Sequence, residues 1–82
     1  MTNLKYSLVI EATDDPAFFC FYSPDLEGFS GVGSSVGDCL AKSELAIEEH
    51  VSVLREEGMP VPPANPNAVV TVQSSERIIP AA

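Results

Sequence analysis

The segment from Val36 to Glu57 constrains this chain most. Val36, Leu40, Ile47, Val51 and Leu54 recur at spacings of three, four and seven, which draws one apolar stripe along a helix. Cys39 and Ser43 fall on or beside that stripe, while Lys42, Glu44, Glu48, Glu49 and Arg55 fill the opposite face. Both ends are punctuated. Ser35 stands where an N-cap belongs and Asp38 follows three residues on, a capping-box pattern with Asp in place of Glu or Gln. Gly58 suits the left-handed position after the last turn, and Pro60 blocks continuation. Gly37, inside the first turn, weakens the helix by roughly 1 kcal/mol relative to Ala.

A single striped helix needs a sheet to cover, and the flanking sequence supplies strands. Leu4, Tyr6, Leu8 and Ile10 alternate with Lys5, Ser7 and Glu11, with Val9 the exception, so Leu4 to Glu11 reads as a half-buried strand. Thr13-Asp14-Asp15-Pro16 is a turn, because Asp bonds its own backbone and Pro presets φ. Ala17 to Tyr22 is a second strand whose apolar residues are continuous from Phe18 to Tyr22, so both of its faces need cover. Gly28 to Ser34 is a short third strand loosened by Gly31 and Gly33. After the helix, Val61 to Asn67 is extended and Pro-rich, and Ala68 to Gln73 is a fourth strand rich in Val and Thr. The order β-β-β-α-β predicts a two-layer α+β domain, an antiparallel meander with one helix on one face. Residues 1–73 form this domain and residues 74–82 a tail, in which Ile78 and Ile79 offer a docking point.

One helix covers one sheet face. Phe18, Cys20 and Tyr22 therefore mark the other face as a surface for self-association, with a dimer the expected state. The alternative is that the fourth strand and the tail complete the cover.

The 82 residues allow one small domain. A chain of that size buries only about 60% of its unfolded surface, so its stability is modest or shared with a partner. Twelve acids against four Lys and Arg give a net charge of −8. That argues against direct binding of DNA or RNA, which needs basic side chains at phosphates, and favours a basic protein partner or plain solubility. No apolar run approaches the ~20 residues of a membrane span, and Met1 to Lys5 show no basic start followed by an apolar block, so no signal peptide is expected. Cys20 and Cys39 read as reduced core fillers of a cytoplasmic protein.

No catalytic constellation is legible. His50 reads as a helix-surface residue, Asp14 and Asp15 as turn chemistry, and Asp25 as a turn residue holding Leu26 and Gly28 in place. Gly31-x-Gly33 lacks the Lys and Ser/Thr of a phosphate loop. No metal or cofactor is expected, and the chain reads as a binding protein, not an enzyme.

Three pieces in fixed order carry a family resemblance. Pro24-Asp25-Leu26-x-Gly28, the Gly33-Ser34-Ser35 helix entry and Glu57-Gly58-x-Pro60-x-Pro62 resemble the HicB-like antitoxin family over about Tyr6 to Val72. Glu27 departs from that family's second Pro, Phe29 from a frequent Cys, and Ser34-Ser35 from Asp-Thr. The resemblance implies a pared-down ribonuclease H-like fold. It also implies an antitoxin that binds a small, basic HicA-type toxin, which cleaves mRNA with a His, and so inhibits it. Many members of the family add a C-terminal DNA-binding domain, and none is expected within residues 74–82. The competing reading is an orphan HicB-like module, homo-oligomeric and without a toxin. For the partner surface the expected residues are Asp14 and Asp15, then Asp25, Leu26, Glu27 and Phe29, then Pro60, Pro62 and Pro63, with Leu26 and Phe29 as apolar anchors.

Overall fold

The structure, a computed structural model, describes residues 5–74. Four strands and one helix follow in the order β1 (Leu8–Ala12), β2 (Phe19–Tyr22), β3 (Ser30–Gly33), α1 (Val36–Glu56) and β4 (Val70–Ser74). The sheet order is β3-β2-β1-β4. β1, β2 and β3 form the expected antiparallel meander, with Ile10 opposite Phe21 and Phe21 opposite Gly31. β4 runs parallel to β1, with Leu8 opposite Val70 and Ile10 opposite Val72. The result is a small α+β domain with a four-stranded mixed sheet. The expected first strand begins at Leu8 instead of Leu4, and Ser74 belongs to β4 instead of the tail. The docking of Ile78 and Ile79 lies outside the described residues.

Strand alternation sorts the two faces. Leu8, Ile10, Phe19 and Phe21 point to the helix, and with Tyr6, Leu26, Phe29, Cys39 and Ile47 they make the core. On the helix, the buried line is Cys39, Ser43 and Ile47, at i, i+4 and i+8. Val36, Leu40, Ala46 and Val51 pack beside it, half-buried. The stripe is thus centred on its small residues. Ser43 satisfies its buried hydroxyl by donating to the Leu40 carbonyl at 2.9 Å. Small side chains let the helix sit close to β3, and glycine completes the fit. A Cβ on Gly33 would meet Cys39 Sγ at 2.7 Å, and one on Gly31 would overlap the Phe21 ring.

The helix C-terminus forms as the sequence predicts, and so does the Ser35 cap, but the reciprocal bond expected of a capping box goes to the N–H of Ser34 instead of Ser35. Ser35 Oγ accepts from the Asp38 N–H at 3.0 Å. The Asp38 carboxylate reaches back to the Ser34 N–H at 2.9 Å and pairs with Lys42 at 3.2 Å. At the other end Met59 N–H donates to Leu54 O and Gly58 N–H to Arg55 O, the paired bonds of a Schellman motif. Gly58 takes φ +70 there, a value that glycine adopts without a Cβ penalty.

Candidate functional site

The helix packs over β2 and β3, and nothing among the described residues covers the other sheet face. The fourth strand extends the sheet beside β1 and does not fold under it. Cys20 and Tyr22 alternate onto this open face, opposite Glu11 and Val9 of β1 and opposite Val32 and Ser30 of β3. Phe18 lies one residue before β2 and is exposed. Phe18, Tyr22 and Val32 are 42%, 39% and 51% exposed. Cys20, expected in the core, is half-buried here, while Cys39 is fully buried, and both thiols are free. Burial, and secondarily the Asp38 carboxylate, pushes the Cys39 thiol above its ordinary pKa, which makes it a poor nucleophile. Towards β4 the face turns polar, where Gln73 donates to Glu11 at 2.9 Å.

Acidic turns close both ends of the apolar strip. At one end is the β1–β2 hairpin tip. Asp15 shapes it by accepting from the Ala17 N–H at 2.9 Å, and its own N–H donates to Thr13 Oγ1. The Asp14 and Asp15 side chains are exposed there. At the other end, 24–28 forms two successive turns, closed by Leu26 N–H to Ser23 O and Phe29 N–H to Leu26 O. Gly28 has the φ of +82 that the third position of a type II turn requires. Exposed Glu27 sits at the apex. Asp14 and Asp15 therefore stand at the opposite end of β2 from Asp25 and Glu27, and the expected acidic residues do not form one cluster.

Three of the expected partner residues have structural work instead. Leu26 is 1% exposed and Phe29 5%, so neither reaches the surface as an anchor. Phe29 packs against Phe21 with ring centroids 5.8 Å apart and meets the His50 ring edge-on at 5.7 Å. Asp25 is the centre of a polar junction. Its Oδ2 accepts from the Ser7 N–H at 2.8 Å and from Asn65 Nδ2 at 3.1 Å. Those two hydrogen bonds, the Ser7 one foremost, hold the Asp25 carboxyl below its ordinary pKa. Ser23 Oγ donates to Ser7 O at 2.6 Å, and Ser7 Oγ accepts from the Val69 N–H at 3.1 Å. The junction ties the start of β1, the β2–β3 turn and the entry to β4 together. Pro62 joins the same end, its carbonyl accepting from Tyr6 Oη at 2.7 Å, while Pro60 and Pro63 stay exposed.

A concavity of about 560 Å³ had no signal in the sequence. Tyr6, Ile47, Val51 and Val61 contribute its apolar lining, and Glu44, Glu48, Lys5 and Arg55 its charged side chains. Its residues come from three separate segments, which no local pattern links. Among the described residues no three His, Cys, Asp or Glu side chains converge to hold a metal ion. No helix among them is long and apolar enough to cross a membrane.

A small α+β domain whose sheet, among the described residues, leaves one partly apolar face uncovered is the class that this geometry defines. No family model, no curated protein and no solved structure matches the chain.

Proposed function

We propose that this protein is a non-catalytic binding module, an antitoxin-like inhibitor of a small basic RNA-cleaving protein, in keeping with its HicB-like sequence motifs. The observation that carries the reading is the apolar strip of Phe18, Cys20, Tyr22 and Val32, left uncovered on a chain of net charge −8 and ended by acidic turns. An exposed apolar patch rimmed by polar groups marks a contact surface. A basic partner would meet Asp14 and Asp15 at one end and Glu27 at the other, where exposed charges set association rate and salt dependence. Phe18 and Tyr22 would supply the buried anchors that set the dissociation rate, the part expected of Leu26 and Phe29.

The other occupant of the same face is a second copy of this chain, the orphan homo-oligomer reading. The test is co-expression with a short basic protein encoded beside it, followed by RNA-cleavage and binding assays. Phe18→Ser with Tyr22→Ser should speed dissociation and restore cleavage. Asp14→Lys with Asp15→Lys should slow association and flatten its salt dependence. Glu44→Lys with Glu48→Lys, on the helix, should inhibit as wild type does. Full inhibition by a folded Phe18→Ser, Tyr22→Ser variant would refute the assignment. A change in sedimentation alone would favour the homo-oligomer.

A further inference from the structure

Among the described residues, β4 is an edge strand without the usual protection. Edges are commonly blunted by Lys, Pro, bulges or a covering element. Val70–Ser74 reads Val-Thr-Val-Gln-Ser, with no charge and no Pro, and all five side chains are exposed. It is an uncharged stretch on a strongly acidic chain, and so a place where two copies can approach without facing carboxylates.

The hydrogen-bond pattern determines which backbone groups are on offer. Leu8 N–H donates to Val69 O, and Leu8 lies opposite Val70. In a parallel ladder the inner strand therefore engages alternate β4 residues, Val69, Thr71 and Gln73. The N–H and C=O groups of Val70 and Val72 turn outward.

We propose that two copies of this chain pair antiparallel along β4, with the two-fold axis at Thr71. In that register Val70 and Val72 of one copy exchange hydrogen bonds with Val72 and Val70 of the other, about four bonds in all. Thr71 faces its own counterpart across a non-hydrogen-bonded pair, a favourable cross-strand match. Val70 and Val72 share the helix side of the sheet with Leu8 and Ile10, so the four valines cluster across the axis. Centring on Val72 instead would set Val70 against Ser74 and bury less apolar surface. The helix lies over β2 and β3, and among the described residues the helix side of β4 is left exposed for the second copy. The product is one eight-stranded sheet whose two open faces are coplanar, so it presents the Phe18–Tyr22 strip twice. The paired edge is smaller than the ~800 Å² per partner of a standard interface, so a weak, micromolar dimer is expected.

Cysteine cross-linking reads the register directly. In a Cys20→Ser background, Thr71→Cys places two sulfurs across a pair with Cα atoms about 4.5 Å apart, within disulfide reach. Val70→Cys places them diagonally, roughly 8 Å apart, and out of reach. Mild oxidation should give a covalent dimer of the first and not of the second. Sedimentation should show a concentration-dependent dimer for wild type. Val72→Pro removes an outward N–H and spares the β1 ladder, and Val72→Lys adds an edge charge. Each should raise the dimer dissociation constant at least about tenfold with an unchanged circular dichroism spectrum. No cross-link at Thr71, or a cross-link at Val72→Cys in its place, overturns the proposal. So does a dimer lost in Tyr22→Ser but kept in both Val72 variants. Inhibition of a basic partner is scored separately, so either idea can fail without the other.

Discussion

Gly33→Ala tests the close approach of α1 to β3. Gly33 ends β3 on the helix side, under the first turn of α1. An added Cβ would lie 2.7 Å from Cys39 Sγ, 3.1 Å from Cys39 N and 3.1 Å from Asp38 Oδ2. Comfortable carbon contacts are about 3.5–4.0 Å, so the sulfur overlap is close to 1 Å. Cys39 is fully buried, so its thiol yields only by displacing close-packed core neighbours. Its backbone N–H is held by Ser35 O at 2.9 Å, so that contact yields only if the helix start lifts off the sheet. Overpacking of this kind costs about 1–3 kcal/mol. The reduced unfolded-chain entropy of Ala offsets roughly 0.4–1 kcal/mol of that. A net loss of about 1–2 kcal/mol lowers Tm by roughly 5–15 °C in a domain this small. Thermal melts followed by circular dichroism measure it. Cys39→Ala removes the sulfur contact and leaves the backbone one. In the Gly33→Ala background it should recover part of the loss, with a coupling of about 0.5–2 kcal/mol in a double-mutant cycle. A Tm unchanged by Gly33→Ala, or a strictly additive cycle, would show that helix and sheet are not in the contact described.

Phe29→Ala should cost about 3–5 kcal/mol in urea unfolding, because it empties a core site between Phe21 and His50; a loss below about 1 kcal/mol would place Phe29 at the surface after all. Acid should destabilise the fold through Asp25 and Asp38. The Ser7 N–H and the Asn65 amide lower the first carboxyl, and the Ser34 N–H and Lys42 lower the second, from an ordinary value of 3.8. Since the folded values are the lower ones, their contribution is complete above the unfolded value and is lost as pH falls through the folded values. Urea midpoints followed from neutral pH to about pH 2.5 should drop below about pH 4, and Asp25→Asn or Asp38→Asn should flatten that drop; an unaltered profile in both variants would place the acid sensitivity elsewhere.

The sequence by itself determined the elements whose signals are local. The helix runs from Val36 to Glu56 because Ser35 caps it, Asp38 reaches back, and Gly58 takes a left-handed φ, all within one turn of each end. The hairpin at Thr13–Pro16 and the turn at Gly28 were legible for the same reason. The tertiary structure alone decided the placement of β4. Its partner β1 lies some sixty residues earlier, and ladder hydrogen bonds join backbone groups that carry no sequence label. That placement beside β1 leaves the sheet face away from the helix open among the described residues. Period-two reading set Phe18, Cys20 and Tyr22 on one side and Phe19 and Phe21 on the other, but with every residue in that run apolar it carried no local signal for which side turns inward. Pairing Phe21 with Ile10 on one side and Gly31 on the other turns it inward and leaves Cys20 and Tyr22 outside. Leu26, Phe29 and Asp25 lie in a turn that sequence reads as surface. Long-range contacts with the core, Ser7 and Asn65 bury the first two and make the third a structural hub.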